Sequence, residues 1–380
     1  MSNPRYVLVD CILGSSLPSE IIKLIYEYDE YLSGHIVNIF RFYNNDNIAP
    51  NNLKPLSNGF VCNQYQDPEF SYIANSNLNE IDIISTGLLN IDKMFTFPND
   101  ILIISTTDAL EEAAHIIVYR KFKDKKNREN FVFSKNTLLT NCIQISENEY
   151  CFGYQNGNLE IWDLTDLTLL YTLTEHTSKI LSLLLLPDFK LASGDEDGKL
   201  LIWDLTTKKH EIILDMMFPL HELYYIPENN QNVHHKICIL ANEMNQSISV
   251  CDYITKNIIS KPLRDDYHLD SIGILNGGQI VYHDHSNLII CDPNTLDPIY
   301  KLKMDYGVRF IYILTDNRIM VKMETLNIYK FSQNEDKTIE LILEHEYPLP
   351  DVLYDDQNKI IRLFNGSFLC QSNTAVSVHI

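Results

Sequence analysis

The chain has 380 residues, 45% of them hydrophobic, which is typical of a globular protein with a large core. It carries 51 acidic and 30 basic side chains, so its formal net charge is −21 at pH 7. This charge repels phosphate backbones and argues against a nucleic-acid partner. It favours a basic protein surface as partner, or it serves solubility alone.

The cysteines indicate the cellular compartment, and the absence of common motifs limits the chemistry that the protein can perform. The eight cysteines are scattered singly, several of them in apolar runs, which favours a reducing, cytoplasmic compartment over a disulfide framework. No run is long and apolar enough to span a membrane, and the common nucleophile, zinc and dinucleotide motifs do not occur. We therefore expect a cytoplasmic protein with no membrane span, no metal and no cofactor, which is not an enzyme.

The first predicted element is a helix over residues 17–28. Pro18 suits its first turn, and apolar residues recur at helical spacing to form one stripe. The opening phrase, Leu-Pro-x-Glu-Ile-Ile-x-x-Ile, resembles an F-box, which binds the Skp-type adaptor of cullin-RING ubiquitin ligases. The resemblance implies adaptor contacts at Leu17, Pro18, Ile21, Ile22 and Ile25. The resemblance to an F-box does not extend beyond this helix, because residues 35–43 predict a strand. The alternative is a helix that packs against the rest of its own chain.

Residues 44–58 are rich in Asn and Pro and show no periodicity, which predicts a connector. We expect a domain boundary here, with the F-box-like helix and connector in 1–58 and a domain of repeated strands in 59–380. Strand-like runs begin at Gly59, and from Ile91 onward they fall into groups of four.

Two versions of one phrase mark the centre of the chain, and each ends in Trp-Asp. Each predicts two strands joined by a tight turn, at Asn156-Gly157 and at Asp197-Gly198, dipeptides that tolerate positive φ at both central positions of a two-residue hairpin. Trp203 follows Trp162 by 41 residues. A hairpin that recurs at about 40 to 45 residues with a terminal Trp-Asp is typical of a propeller blade, and the phrase resembles WD repeats.

WD repeats contain a hydrogen-bonded tetrad of His, Ser or Thr, Asp and Trp. In the second copy the resemblance assigns these roles to His176, Ser193, Asp197 and Trp203. A buried His needs a carboxylate to fix its tautomer, and a buried indole N–H needs an acceptor. We therefore interpret the His-Ser-Asp trio as structural and not as a hydrolase triad.

Before and after these two copies, other residues take the place of the tryptophan. They are Tyr119, Cys251, Cys291 and Tyr329, and with the two tryptophans they recur at intervals of 38 to 48 residues, which predicts six units from Ile91 to about Glu344. Three strand-like runs remain after Asp351, and a strand from between His35 and Ser85 would complete their blade. We expect an all-β, WD-repeat-like β-propeller of about seven blades, with six or eight as alternatives, and one short N-terminal helix.

The resemblance implies a protein-interaction scaffold, because WD repeats usually bind partners at the end that carries the tetrad His. It assigns contacts with a protein or peptide to Ser178, Lys179, Asp195, Tyr154 and Gln155, and we expect a monomer. The alternative is an F-box-type substrate receptor that links a target protein to a ubiquitin ligase. The abundance of Asn, Ile and Tyr is typical of an AT-rich genome and fits a pathogen effector in that role.

His283-Asp284-His285 is the best metal candidate in the sequence, because alternate residues of a strand share one face. His285 also aligns with Asp197 of the intact repeat. We prefer the role of a hairpin residue to that of a ligand, and an enzyme acting through these histidines is the third and weakest hypothesis.

Overall fold

The computed structural model describes backbone and side chains from residue 91 to residue 346, apart from gaps at 98, 108–113, 122–126, 217, 228–234, 241–246, 264–271, 285, 306, 315 and 334–338. Elsewhere it describes the backbone of strands alone. The predicted helix over residues 17–28, with its adaptor contacts, lies outside the described residues.

The secondary structure of the described residues consists of 33 strands, which confirms the all-β class. The early strands are β1 (Val9–Cys11), β2 (Ile36–Phe42), β3 (Pro50–Leu56), β4 (Gly59–Gln64), β5 (Phe70–Asn75), β6 (Ile81–Ser85), β7 (Asn90–Phe97), β8 (Ile101–Thr107), β9 (Ala114–Arg120) and β10 (Glu129–Lys135). The central strands are β11 (Leu139–Gln144), β12 (Glu149–Tyr154), β13 (Leu159–Asp163), β14 (Thr168–Leu173), β15 (Ile180–Leu186), β16 (Lys190–Asp195), β17 (Lys199–Asp204), β18 (Lys209–Asp215), β19 (Leu220–Ile226), β20 (Lys236–Ala241), β21 (Ser247–Asp252) and β22 (Ile258–Pro262). The late strands are β23 (Gly273–Ile274), β24 (Ile280–His283), β25 (Asn287–Cys291), β26 (Pro298–Lys303), β27 (Phe310–Ile313), β28 (Ile319–Lys322), β29 (Thr325–Gln333), β30 (Ile339–Pro348), β31 (Ile360–Arg362), β32 (Phe368–Cys370) and β33 (Thr374–Val378).

These strands form eight sheets, seven with four strands and one with five. In each four-stranded sheet, four successive strands lie side by side in chain order, as in a propeller blade. With the five-stranded sheet the described strands make eight sheets, which is the larger of the two alternatives to the predicted number of about seven blades.

One compact unit comprises residues 1–138 and 347–380 and contains three sheets. Its five-stranded sheet has the order β1-β2-β33-β32-β31 and joins strands from both ends of the sequence. β2 pairs antiparallel with β33, with Ile36 opposite Val378 and Arg41 opposite Thr374. This confirms that a strand from between His35 and Ser85 completes the C-terminal strands.

The strand β3 lies within the predicted connector, which is a correction to the sequence analysis. It pairs antiparallel with β4, so the predicted domain boundary after residue 58 falls inside a hairpin. β3 is an edge strand that contains Pro50 and Pro55, and its register shifts between Asn51 and Lys54. Edge strands tolerate proline, and the shift removes the regular alternation by which a strand is recognised in a sequence.

The second compact unit, residues 139–346, contains five four-stranded sheets. Neighbouring sheets share hydrophobic clusters; one, for example, runs from Ile161 and Leu173 to Leu191 and Trp203. The inner strands are the most buried, and every residue of β24 is buried, whereas most residues of the outer strands β14 and β18 are exposed. Each blade therefore places its core between neighbours and its outer edge toward solvent.

The six residues predicted to share the place of the tryptophan all lie on the third strand of their sheets. Opposite them on the second strand stand Leu102 for Tyr119, Tyr150 for Trp162, Leu191 for Trp203, Ile237 for Cys251, Ile280 for Cys291 and Ile319 for Tyr329. The common register confirms the six repeated units between Ile91 and Glu344.

Candidate functional site

The intact repeat contains a chain of hydrogen bonds that begins at its tryptophan. Trp203 Nε1 donates to Ser193 Oγ at 2.8 Å, Ser193 Oγ lies 2.6 Å from His176 Nε2, and His176 Nδ1 lies 2.7 Å from Asp195 Oδ2. Because Ser193 receives the indole hydrogen, its own hydroxyl can donate to Nε2, and Nδ1–H then donates to the carboxylate. All hydrogen bonds in this arrangement point from the indole toward Asp195.

The acid of this tetrad is Asp195 and not Asp197, so the sequence assignment is wrong by two residues. Asp195 ends the same strand as Ser193, and alternate residues of a strand share a face. Its Oδ1 also accepts the backbone N–H of Lys199 at 2.8 Å. Asp197 lies beyond the strand end and is exposed in the turn.

Burial decides what the tetrad can do chemically. The side chains of His176 and Asp195 are both 0% exposed, and Ser193 is buried as well. Burial raises the pKa of the Asp195 carboxyl, but the hydrogen bonds from His176 and the Lys199 amide outweigh it and hold the pKa below its ordinary value. The ionised carboxylate fixes the imidazole, and no substrate carbonyl can reach the buried serine. The tetrad therefore serves the fold.

The turn dipeptides have positive φ at their glycines alone, which corrects the predicted turn type. Gly157 has φ of 86° and Gly198 has φ of 93°, whereas Asn156 and Asp197 have no positive φ. The Gly198 N–H donates a hydrogen bond to the carbonyl of Asp195 at 3.3 Å, and the Gly157 N–H donates the equivalent bond to the carbonyl of Tyr154. The connection is thus a three-residue loop closed by a left-handed glycine and not a two-residue hairpin.

The first copy replaces the tetrad with a carboxylate on its own third strand. Glu160 Oε2 accepts a hydrogen bond from Trp162 Nε1 at 2.9 Å and another from the Tyr154 hydroxyl at 2.7 Å. Phe152 takes the place of the tetrad serine, and its ring stacks on Trp162 with centroids 6.2 Å apart. Burial and the nearby Glu160 raise the pKa of Tyr154 well above its ordinary value. Tyr154 is therefore a structural donor.

The aspartate that follows the tryptophan or cysteine has a role of its own, which sequence reasoning missed. In four sheets its Oδ1 accepts the N–H of the residue two positions on, namely Asp163 from Thr165, Asp204 from Thr206, Asp252 from Ile254 and Asp292 from Asn294. Four residues after each aspartate comes a residue with positive φ: Leu167, Lys208, Lys256 and Leu296. The aspartate caps the turn to the outer strand, which explains why it persists where tryptophan does not.

Cysteine replaces tryptophan in two later repeats and packs as an apolar residue, as predicted. Cys251 and Cys291 are both buried. Burial raises the pKa of the Cys251 thiol to about 12 and that of Cys291 to about 11, so both are protonated at neutral pH. The five cysteines whose side chains the structure describes are free and buried.

The five predicted partner contacts divide into two groups. Gln155 is exposed, and Ser178 and Lys179 are partly exposed. Tyr154 and Asp195 are buried at 1% and 0% exposure, which removes them as contacts because each side chain is directed into the fold by its own hydrogen bonds.

Two acidic residues that sequence reasoning did not select stand beside these contacts. Glu196 and Asp197 are exposed in the turn between β16 and β17, and the Glu196 N–H bonds the carbonyl of Lys179 at 2.9 Å. The preceding blade contributes its own turn, because a Cβ added at Gly157 would lie 2.5 Å from the His176 carbonyl oxygen. We call these exposed positions the loop-end surface; its members are Gln155, Ser178, Lys179, Glu196 and Asp197.

The described part of the chain contains no cluster of three or more His, Cys, Asp or Glu side chains arranged to hold a metal ion. His285, half of the metal candidate, lies outside the described residues. Within the same part of the chain, no helix has the length and hydropathy that crossing a membrane requires.

Comparison with known proteins identifies the fold and no family. No protein-family model matches the chain, and no curated protein matches it in sequence. The computationally designed Ika8 protein is similar in structure, with a TM-score of 0.61 at 12% identity over 88% of this chain and 97% of that one. The structure of U3-55K gives 0.51 at 12% over 77% and 96%, and a chain of the Mitotic Checkpoint Complex gives 0.50 at 11% over 76% and 91%. The sheets, the repeated register and these similarities make the fold a WD-repeat-like β-propeller.

Proposed function

We propose that this protein is a protein-interaction scaffold of the WD-repeat type and not an enzyme. One observation carries the proposal: the His-Ser-Asp constellation is buried and hydrogen-bonded to Trp203, while the turn residues beside it are exposed. Reactive groups thus stabilise the blade, and the blade presents short, rigid turns to solvent. This combination suits recognition of a partner better than chemistry on a substrate.

The loop-end surface is the proposed contact, and its charge suggests the partner. Glu196 and Asp197 are both exposed, on a chain whose net charge is −21. A protein segment with basic residues would be drawn to this surface, and the attraction would weaken as salt increases. The buried, free cysteines support a reducing compartment, and we place the protein in the cytoplasm as part of the same proposal.

The test compares two charge reversals in one sheet. Asp197→Lys changes the turn between β16 and β17, and Asp188→Lys changes the turn between β15 and β16 at the opposite end; both aspartates are exposed. Proteins recovered with the full chain from cell extract are measured quantitatively for the parent and both variants. We expect a partner whose recovery falls about tenfold with Asp197→Lys and is unchanged with Asp188→Lys. Equal recovery with both variants places the contact elsewhere, and recovery of no specific protein contradicts the scaffold.

A narrower function, the F-box-type receptor with a Skp-type adaptor, depends on Leu17, Pro18, Ile21, Ile22 and Ile25. β2 begins at Ile36 and is committed to a sheet, so the segment from Leu17 to β2 is too short for the three helices of an F-box. Any adaptor contact would therefore use the first helical phrase alone. Recovery of adaptor and cullin by the parent, and not by a Leu17→Ala, Pro18→Ala, Ile21→Ala variant, would support this narrower role; recovery by neither removes it.

A further inference from the structure

The outer strand β14 has an unusual edge. Its sequence is Thr-Leu-Leu-Tyr-Thr-Leu, without a charge or a proline, and Leu169 and Leu170 are 43% and 41% exposed. It is the last strand in the order of its sheet, so its outer side presents backbone N–H and C=O groups away from β13. An exposed, apolar strand edge is a ready template for pairing with another strand.

The other outer strands of residues 139–346 carry the usual protection against such pairing. Their charged and proline residues are Lys209, Glu211 and Asp215 on β18, Lys261 and Pro262 on β22, Pro298, Lys301 and Lys303 on β26, and Glu340, Glu344 and Glu346 on β30. A shift in register also blunts an edge, but β14 shares its shift with β18 and β26. Within this unit β14 is thus the unprotected edge.

We propose that β14 pairs antiparallel with β14 of a second copy of this chain, so that one sheet continues across a two-fold axis. The choice of occupant follows from the other edges. Pairing with β18, β22, β26 or β30 would bring a charge or a proline of the opposing strand against β14, whereas β14 itself contains neither. The Lys208 ammonium, 4.2 Å from the centroid of the Tyr171 ring, belongs to the turn between β17 and β18. The same molecule already accepts an added strand on an outer edge, although in parallel orientation, because β1 pairs with β2 beyond the four strands of a blade. The proposal replaces the monomer expected from the sequence.

Charges beside the strand give the dimer a salt dependence of known sign. Both copies carry a net charge of −21, and an acidic residue flanks β14 at each end: Asp166 in the turn before the strand and Glu175, 3.7 Å from His210 Nε2, after it. Asp166 is exposed, and the Glu175 side chain is 40% exposed. Repulsion weakens the dimer at low salt, and screening tightens it. Asp166→Lys replaces a negative charge beside each β14 with a positive one and lowers the net negative charge of both copies, so that variant should dimerise more tightly at low salt.

The experiment is analytical ultracentrifugation of the full chain at low and high salt. A short strand pair is a small interface, so we expect a weak dimer with Kd of about 10 to 100 μM that tightens with salt. Leu169→Lys with Leu170→Lys should raise Kd at least about tenfold. The matched control is Ile212→Lys on β18, an exposed isoleucine that should leave Kd unchanged. Circular dichroism and thermal melting verify that each variant is folded.

Several outcomes would overturn the proposal. They are a monomer at every concentration and salt, a dimer that the β14 double variant leaves intact, and a dimer that Ile212→Lys weakens as strongly. A gain in affinity with Asp166→Lys at low salt supports a contact beside β14, since misfolding does not predict it.

Discussion

Two aspartates separated by one residue should differ sharply in their effect on stability. Asp195→Ala removes the acceptor of the tetrad, while Asp197→Ala changes an exposed turn residue. The comparison is well matched because both variants delete one carboxylate from the same hairpin. It tests directly which aspartate holds His176.

The magnitude follows from the contacts of Asp195. Its carboxylate accepts from His176 Nδ1 at 2.7 Å and from the Lys199 N–H at 2.8 Å. Leaving a buried donor without an acceptor costs about 1 to 3 kcal/mol, so the loss of two acceptors should lower the free energy of unfolding by about 3 kcal/mol. Asp197→Ala should change it by no more than about 0.5 kcal/mol, as is usual for an exposed position.

The assay is urea unfolding followed by tryptophan fluorescence and by far-ultraviolet circular dichroism. Trp203 belongs to the tetrad and Trp162 to the preceding sheet, so fluorescence reports on both sheets, and coincidence of the two probes tests for two-state behaviour. The slope with urea should stay constant while the midpoint falls. If Asp197→Ala destabilises as much as Asp195→Ala, the buried acid has been assigned to the wrong residue.

Three further predictions concern the same unit. In the folded state the pKa of Asp195 lies below its ordinary value of 3.8, so its contribution to the free energy of unfolding is complete above that pH and is lost as the pH falls below it. The difference in stability between the parent and Asp195→Ala should therefore narrow in acid. A difference that stays constant to about pH 2 would contradict this. Gly198→Ala should lower the free energy of unfolding by about 3 kcal/mol, because φ at this position is 93° and the new Cβ would lie 2.0 Å from the Met216 carbonyl oxygen. A decrease of less than about 1 kcal/mol in urea or thermal unfolding would refute this. Glu160→Ala removes the acceptor shared by Tyr154 and Trp162, and should cost about 2 kcal/mol and change the tryptophan emission, which an exposed-site variant such as Asp197→Ala should not.

Much of the architecture could be predicted, because its signals are repeated. The spacing of Tyr119, Trp162, Trp203 and their equivalents predicted the third strand of six sheets, and the structure confirms it. Counting strands also predicted the partner of the C-terminal strands, since a blade with three strands needs a fourth. Periodicity and counting succeed because every blade must bury the same face and close the same edge.

What could not be predicted depends on single positions. The choice between Asp195 and Asp197 turns on which residue still belongs to the strand, and the sequence offers aspartate at both. The sequence predicts Tyr154 as a surface contact, whereas its hydroxyl donates a hydrogen bond to Glu160 inside the blade. β3 was missed because prolines and a register shift hide the alternation. Strand ends and irregular edges lack a periodic signal, and tertiary contacts alone decide them.

The pairing of β2 with β33 also sets the order in which the chain can mature. β2 leaves the ribosome early, yet its antiparallel partner lies at residues 374–378, after every other strand of the fold. During synthesis one edge of β2 therefore stays available to other chains and to chaperones until residues 374–378 have been made.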